Sequence, residues 1–125
     1  MNKPLVLSVL AVCVCLVVFV CSRNRALFKK NGVLTNGRVT NVYSAVKGGI
    51  HIDYEFYHKG RKIKGSGFYF IYSTYMYELE NRNFPVIYIP DNTAVNRMLI
   101  VKSNFNDFDL QYPDSLKWVR PLQIP

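Results

Sequence analysis

Ile50, Ile52, Tyr54 and Phe56 alternate with His51, Asp53, Glu55 and Tyr57, and a period of two sorts them onto the two faces of a half-buried antiparallel strand. Lys59-Gly60 follows as a two-residue turn. Antiparallel pairing across it sets Phe56 opposite Ile63, Glu55 opposite Lys64 and Tyr54 opposite Gly65. In that register the apolar pair falls on the core face, opposite charges meet on the wet face, and a glycine leaves room for an aromatic ring. A slip of one residue would turn the apolar set outward, so the pattern fixes the register.

The same reasoning extends in both directions. Gly37 to Tyr43 is rich in β-branched residues and predicts a strand before it, with Lys47-Gly48-Gly49 as the hairpin loop. Phe68 to Tyr72 extends the third strand. Ser73 to Arg82 predicts a short helix capped by Ser73 or Thr74. Val86-Ile87-Tyr88-Ile89, between Pro85 and Pro90, reads as a fourth strand that is either buried on both faces or closes a barrel. Pro90-Asp91-Asn92 turns the chain, and Met98 to Val101 is the fifth strand candidate. From Asn104 onward, apolar residues recur every few positions in loop-like sequence, predicting a tail that covers an open end of the sheet. Five short strands linked by turns imply an all-β fold, a small five-stranded antiparallel barrel or sandwich.

Ahead of it stands a different pattern. Pro4 to Cys21 has no charge and Ser8 as its one polar side chain. As a helix it would be roughly 27 Å long, close to the hydrocarbon thickness of a bilayer. The expected organisation is an N-terminal transmembrane helix or signal sequence at residues 1–22, a basic juxtamembrane linker at 23–31, and a β-rich domain with a packed C-terminal extension at 32–125. Lys30-Asn31-Gly32 is the expected joint. A cleaved secretory signal usually has a shorter apolar core, of about 7–15 residues, so the length favours a retained single-pass anchor. Val precedes each of Cys13, Cys15 and Cys21, which argues against a lipoprotein signal. Lys3 precedes the helix while Arg23, Arg25, Lys29 and Lys30 follow it, so the positive-inside rule favours a cytoplasmic domain by a small difference and leaves the other side open. Those four cations fix topology and lie near lipid headgroups.

The order of features also resembles Domain of unknown function 3592, a group of small bacterial proteins with membrane helices. The likeness rests on Gly37-Arg38-Val39 as opening strand, Ile52-Asp53-Tyr54-Glu55-Phe56 with Gly60 as central hairpin, and Val86-Ile87-Tyr88-Ile89-Pro90-Asp91-Asn92 as closing strand and turn. It covers about residues 32–100. Members often carry Gly-Asp before the closing strand and Asn-Pro after it, where this chain has Asn83-Phe84 and Asn92-Thr93. The resemblance implies a fold and a cell-membrane setting but no activity.

Charge and candidate chemistry sharpen this picture at a few points. The net charge is +8, and much of the excess lies in the juxtamembrane cluster and in His58-Lys59-Gly60-Arg61-Lys62-Ile63-Lys64. The second cluster, on an aromatic β domain, is a candidate binding site for nucleic acid or anionic lipid through Lys59, Arg61, Lys62 and Lys64. All three cysteines lie in the apolar run, so the domain offers no thiolate site. His51, Asp53 and Glu55 share one strand face and could ligate a metal or share a proton. A wet face with Glu55 paired to Lys64 accounts for them more simply. Asp107 and Asp109 lack the further oxygen ligands a calcium loop needs. Gly65-Ser66-Gly67 opens no helix and reads as room for facing rings rather than a phosphate loop. His58 is expected at an exposed turn, and Tyr69, Tyr72, Tyr75 and Tyr77 as the wall and rim of the core. No nucleophile motif stands out. The expectation is a non-catalytic protein without cofactor or metal, acting as an interaction or assembly module of the cell envelope with another membrane or envelope protein as partner, and nucleic acid as a lesser alternative.

Overall fold

A computed structural model describes the backbone of residues 3–46 and 48–125, and side chains at 8–16, 25–46 and 48–125. Helix α1 spans Lys3–Asn31, and five strands follow: β1 Val33–Ser44, β2 Ile50–His58, β3 Arg61–Tyr69, β4 Asn83–Ile89 and β5 Asn92–Met98. They form one antiparallel sheet in the order β3-β2-β1-β4-β5, coiled into a nearly closed barrel.

The central hairpin has the expected register, with Phe56 opposite Ile63, Glu55 opposite Lys64 and Tyr54 opposite Gly65. Lys59 and Gly60 take φ of 50° and 75°, both positive, as a two-residue turn that follows the twist of its strands requires. Gly48 and Gly49 also have positive φ in the preceding loop, whose Lys47 lies outside the described residues.

β1 is longer than the sequence suggests and serves two neighbours. Val33 to Arg38 pair with β4, and Arg38 to Ser44 pair with β2. A bulge between Val39 and Asn41 lies where the partner changes, adding the local twist that bends a sheet toward closure. Closure is completed by side chains: the Tyr54 hydroxyl donates to Asn96 Oδ1 and the Tyr69 hydroxyl to the Met98 carbonyl, both at 2.6 Å. Gly65 permits this approach, because a Cβ there would collide with Asn96 Oδ1 and the Tyr54 ring.

Three elements differ from expectation. The fifth strand is the polar run Asn92–Met98 rather than Met98 to Val101. The Pro90-Asp91 turn folds it directly back, setting Arg97 opposite Ile87 and Asn96 opposite Tyr88. Leu99 to Val101 are buried without a ladder. Leu99 N–H donates to the Pro85 carbonyl, and Asn104 Oδ1 accepts from both Ile100 and Val101 N–H, so a side chain replaces the missing strand. Pro85 lies inside β4, opposite Asn36, rather than at its edge.

Residues 73–82 form only a short 3-10 helix, Ser73–Glu78, with Tyr72 at the cap position and no side-chain cap bond. Leu79 alone in this stretch is fully buried, too little apolar surface to hold an amphipathic α-helix. The third strand stops at Tyr69, and Ile71 instead bridges to Gln123.

The C-terminal segment lies on the barrel through α2, Lys102–Asn106, and a second 3-10 helix, Asp114–Leu122, which buries Leu116, Val119 and Leu122. Trp118 lies against Phe84, with the Arg82 guanidinium 4.8 Å over its ring.

Residues 23–31 are not a separate linker, since α1 continues through Asn31 and ends where Gly32 N–H closes on the Phe28 carbonyl. Phe28 is buried edge-on against Phe108, 5.2 Å between centroids. Arg25 and Lys29 face Asp107 and Asp109 at 3.9 and 2.8 Å. Two of the four cations expected beside a membrane thus pair within the chain, Lys30 is exposed, and the side chain of Arg23 lies outside the described residues. Among the described residues no helix is long and apolar enough to cross a membrane; of the expected span, the side chains at 4–7 and 17–21 lie outside them.

Candidate functional site

The outer face of β1, β2 and β3 can be read as successive cross-strand rows. Nearest α1, Tyr57 lies opposite Lys62, and the next row is Arg38, Glu55 and Lys64. Then come Asn41, Asp53 and Ser66, and finally Tyr43, His51 and Phe68. Alternation forces this arrangement, because every second residue of each strand must face outward once Ile50, Ile52, Tyr54 and Phe56 are buried.

Glu55 does not pair with Lys64, although their Cα atoms are opposite. Its carboxylate accepts from Arg38 at 2.8 Å and meets Lys62 at 3.5 Å. β2 is flanked on both sides, so a cation on β1 competes with the hairpin partner, and a guanidinium fits a carboxylate better than an ammonium does. Arg38 holds the Glu55 carboxyl below its usual range. An open cleft of about 480 Å³, bordered by Thr40, Asp53, Glu55, Lys62, Lys64 and Ser66, occupies this part of the face.

His51 belongs to the last row, among aromatic rings. Its ring stacks on Tyr43 at 5.2 Å and meets Phe68 edge-on at 5.5 Å, and Phe68 in turn meets Phe70 at 4.9 Å. Among the described residues, no three His, Cys, Asp or Glu side chains converge on a metal position. Tyr43, Phe68 and Phe70 are 44%, 42% and 62% exposed. This aromatic row ends the face roughly 30 Å along β1 from the α1 junction, at about 3.3 Å per residue.

The tyrosine run is divided. Tyr69 is buried, and burial raises its phenol pKa as it raises that of Tyr54 to about 12. Tyr72, Tyr75 and Tyr77 remain exposed. Phe68 was detectable in principle, since extending the hairpin register three pairs past Tyr54–Gly65 sets His51 opposite it, whereas Tyr43 depends on the pairing of β1 with β2. Phe70, just beyond β3, carries no such signal.

The basic hairpin is divided as well. Lys62 and Lys64 lie on the outer face, whereas His58, Lys59 and Arg61 border a second cleft at the barrel end where α1 joins β1. His58 is half-buried rather than free at a turn, its Nδ1 2.9 Å from the Tyr88 hydroxyl. No protein-family model, curated protein or solved structure matches this chain.

Proposed function

We propose that this protein is a non-catalytic, membrane-anchored binding module, with α1 as a single-pass anchor and the aromatic row as its docking surface for another envelope protein. The anchor reading is supported by the uncharged run from Pro4 to Cys21 and by the family resemblance over residues 32–100. The basic residues after it favour a domain on the cytoplasmic side.

The observation that carries the docking surface is the contiguity of Tyr43, His51, Phe68 and Phe70 in an otherwise polar sheet face. Exposed aromatic rings in contact with one another form the apolar centre of many protein interfaces, and a rim of charged and hydroxyl groups such as Asp53, Ser66 and Thr40 surrounds such centres. Tyr72 and Tyr75, which follow Phe70 in sequence, are also exposed and meet edge-on.

Two measurements test this reading. Alkaline carbonate should leave the full chain in the membrane pellet, and its release to the supernatant would remove the anchor. A photo-crosslinking residue at Phe70 should capture one protein species in native membranes, lost on Phe68→Ala. Absence of a discrete adduct, or an adduct indifferent to Phe68→Ala, would overturn the docking surface.

A further inference from the structure

The tips of the β2–β3 and β4–β5 hairpins flank a cleft of about 340 Å³. His58, Lys59, Arg61 and Thr93 supply hydrogen-bond donors to it, Asp91 one carboxylate, and Ile63 and Pro90 the apolar surface. His58 is held in place by Tyr88, through the Nδ1 contact at 2.9 Å and an edge-on ring contact at 5.2 Å. Its Nε2 has no protein partner among the described residues.

Several cations around this cleft are already paired, although Lys64 on the outer face forms no ion pair among the described residues. Arg38 and Lys62 share Glu55, Arg25 and Arg97 share Asp107, and Lys29 meets Asp109. Lys59 and Arg61 form no ion pair among the described residues, although Asp91 borders the same cleft. A guanidinium, an ammonium and an imidazole around one recess are suited to a tetrahedral oxyanion, with the planar fork of Arg61 giving two-point contact. Asp91 would repel a bare phosphate but can accept a hydrogen bond from a hydroxyl carried beside it.

We propose that this cleft binds the phosphoryl group of an anionic lipid with a polyol headgroup, its phosphate on Lys59, Arg61 and His58 and its hydroxyls toward Asp91. Position selects a lipid as the source. His58 is bonded to Tyr88, Tyr88 pairs with Val33, and Val33 is joined through Gly32 to the helix that carries the apolar run. Lys30, exposed at the end of that helix, adds charge at the same end of the barrel. The choice of a lipid source rests on the anchor reading, whereas the cleft's selectivity for a phosphoryl group stands on its own geometry.

The full chain in uncharged detergent micelles is titrated with dihexanoyl-phosphatidylglycerol, dihexanoyl-phosphatidylcholine and inorganic phosphate, with binding followed by the His58 ring resonances. Phosphatidylglycerol should bind at least about tenfold more tightly than phosphatidylcholine, the ratio expected when one charge-assisted hydrogen bond is lost. Lys59→Gln with Arg61→Gln should weaken it by about tenfold or more, while Lys62→Gln with Lys64→Gln changes it less than about twofold. Thermal melts verify that both variants fold. Should the first pair fail to fold, perturbation of wild-type resonances confined to cleft residues serves in its place, and spread over the whole hairpin it overturns the site. Equal weakening by both pairs, or equal binding of the two lipids, would also overturn it. Inorganic phosphate matching phosphatidylglycerol would remove the lipid assignment. A single-stranded oligonucleotide that competes and depends on all four cations would replace it with nucleic-acid binding.

Discussion

At the barrel end nearest α1, Phe56 is 1% exposed and its ring lies 5.0 Å from that of Tyr88; at the opposite end Phe68 and Phe70 meet at a similar distance in solvent. Similar ring pairs thus serve different ends. The first is enclosed by β2 and β4 and contributes to stability, whereas the second is attached to a surface that is already folded without it. Charge follows the reverse distribution, with Lys59 and Arg61 near α1 and the rings of Tyr43, Phe68 and Phe70 far from it.

Substitutions can break this contrast. Phe56→Ala should cost about 3–5 kcal/mol in urea denaturation, the range for deleting a fully buried ring. Gly65→Ala, which forces a methyl into the contact between Tyr54 and Asn96, should cost about 1–3 kcal/mol by overpacking. Tyr54→Phe should cost about 1 kcal/mol at neutral pH by removing the hydrogen bond to Asn96. The Tyr54 phenol, whose pKa burial raises from 10.0 to about 12, supports the fold fully below pH 10 and loses that contribution as pH rises through 10 toward 12. The variant should therefore show a shallower alkaline loss of stability than the parent.

Phe70→Ala should shift stability by less than about 0.5 kcal/mol while abolishing the adduct captured by a photo-crosslinking residue placed at Tyr43 in the same aromatic row. A large loss of stability would mean that this ring belongs to the core and would erase the difference between the ends. The smallest effect concerns Glu55. Because Arg38 depresses its folded pKa, its contribution is present above the unfolded value and is lost as pH falls through the folded one. Denaturation across the acid range should show Glu55→Gln lacking that component.

How much of this was legible depended on whether local pattern or distant neighbours decided the outcome. The β2–β3 hairpin is local: alternation and a Lys-Gly turn specify its register from sequence alone. β5 was misplaced because Asn92–Met98 owes its strand state to pairing with β4 rather than to its own polar residues, while the apolar Leu99 to Val101 are buried by other means. The candidate sites follow the same division. His51, Asp53 and Glu55 were correctly placed on one face, and Phe68 follows from the local hairpin register, but Tyr43 and Arg38 depend on β1 lying beside β2. The cleft beside His58 requires two hairpins far apart in sequence to meet, which no local pattern encodes.

The junction between α1 and β1 has a mechanical consequence. β1 is bonded along its first part to β4 and along its second to β2, so a pull on α1 is delivered lengthwise into a strand gripped from both sides. Such a load strains many ladder bonds together in shear, whereas an edge strand can be unzipped one bond at a time. The chain is therefore attached to its helix at a strand well placed to carry tension.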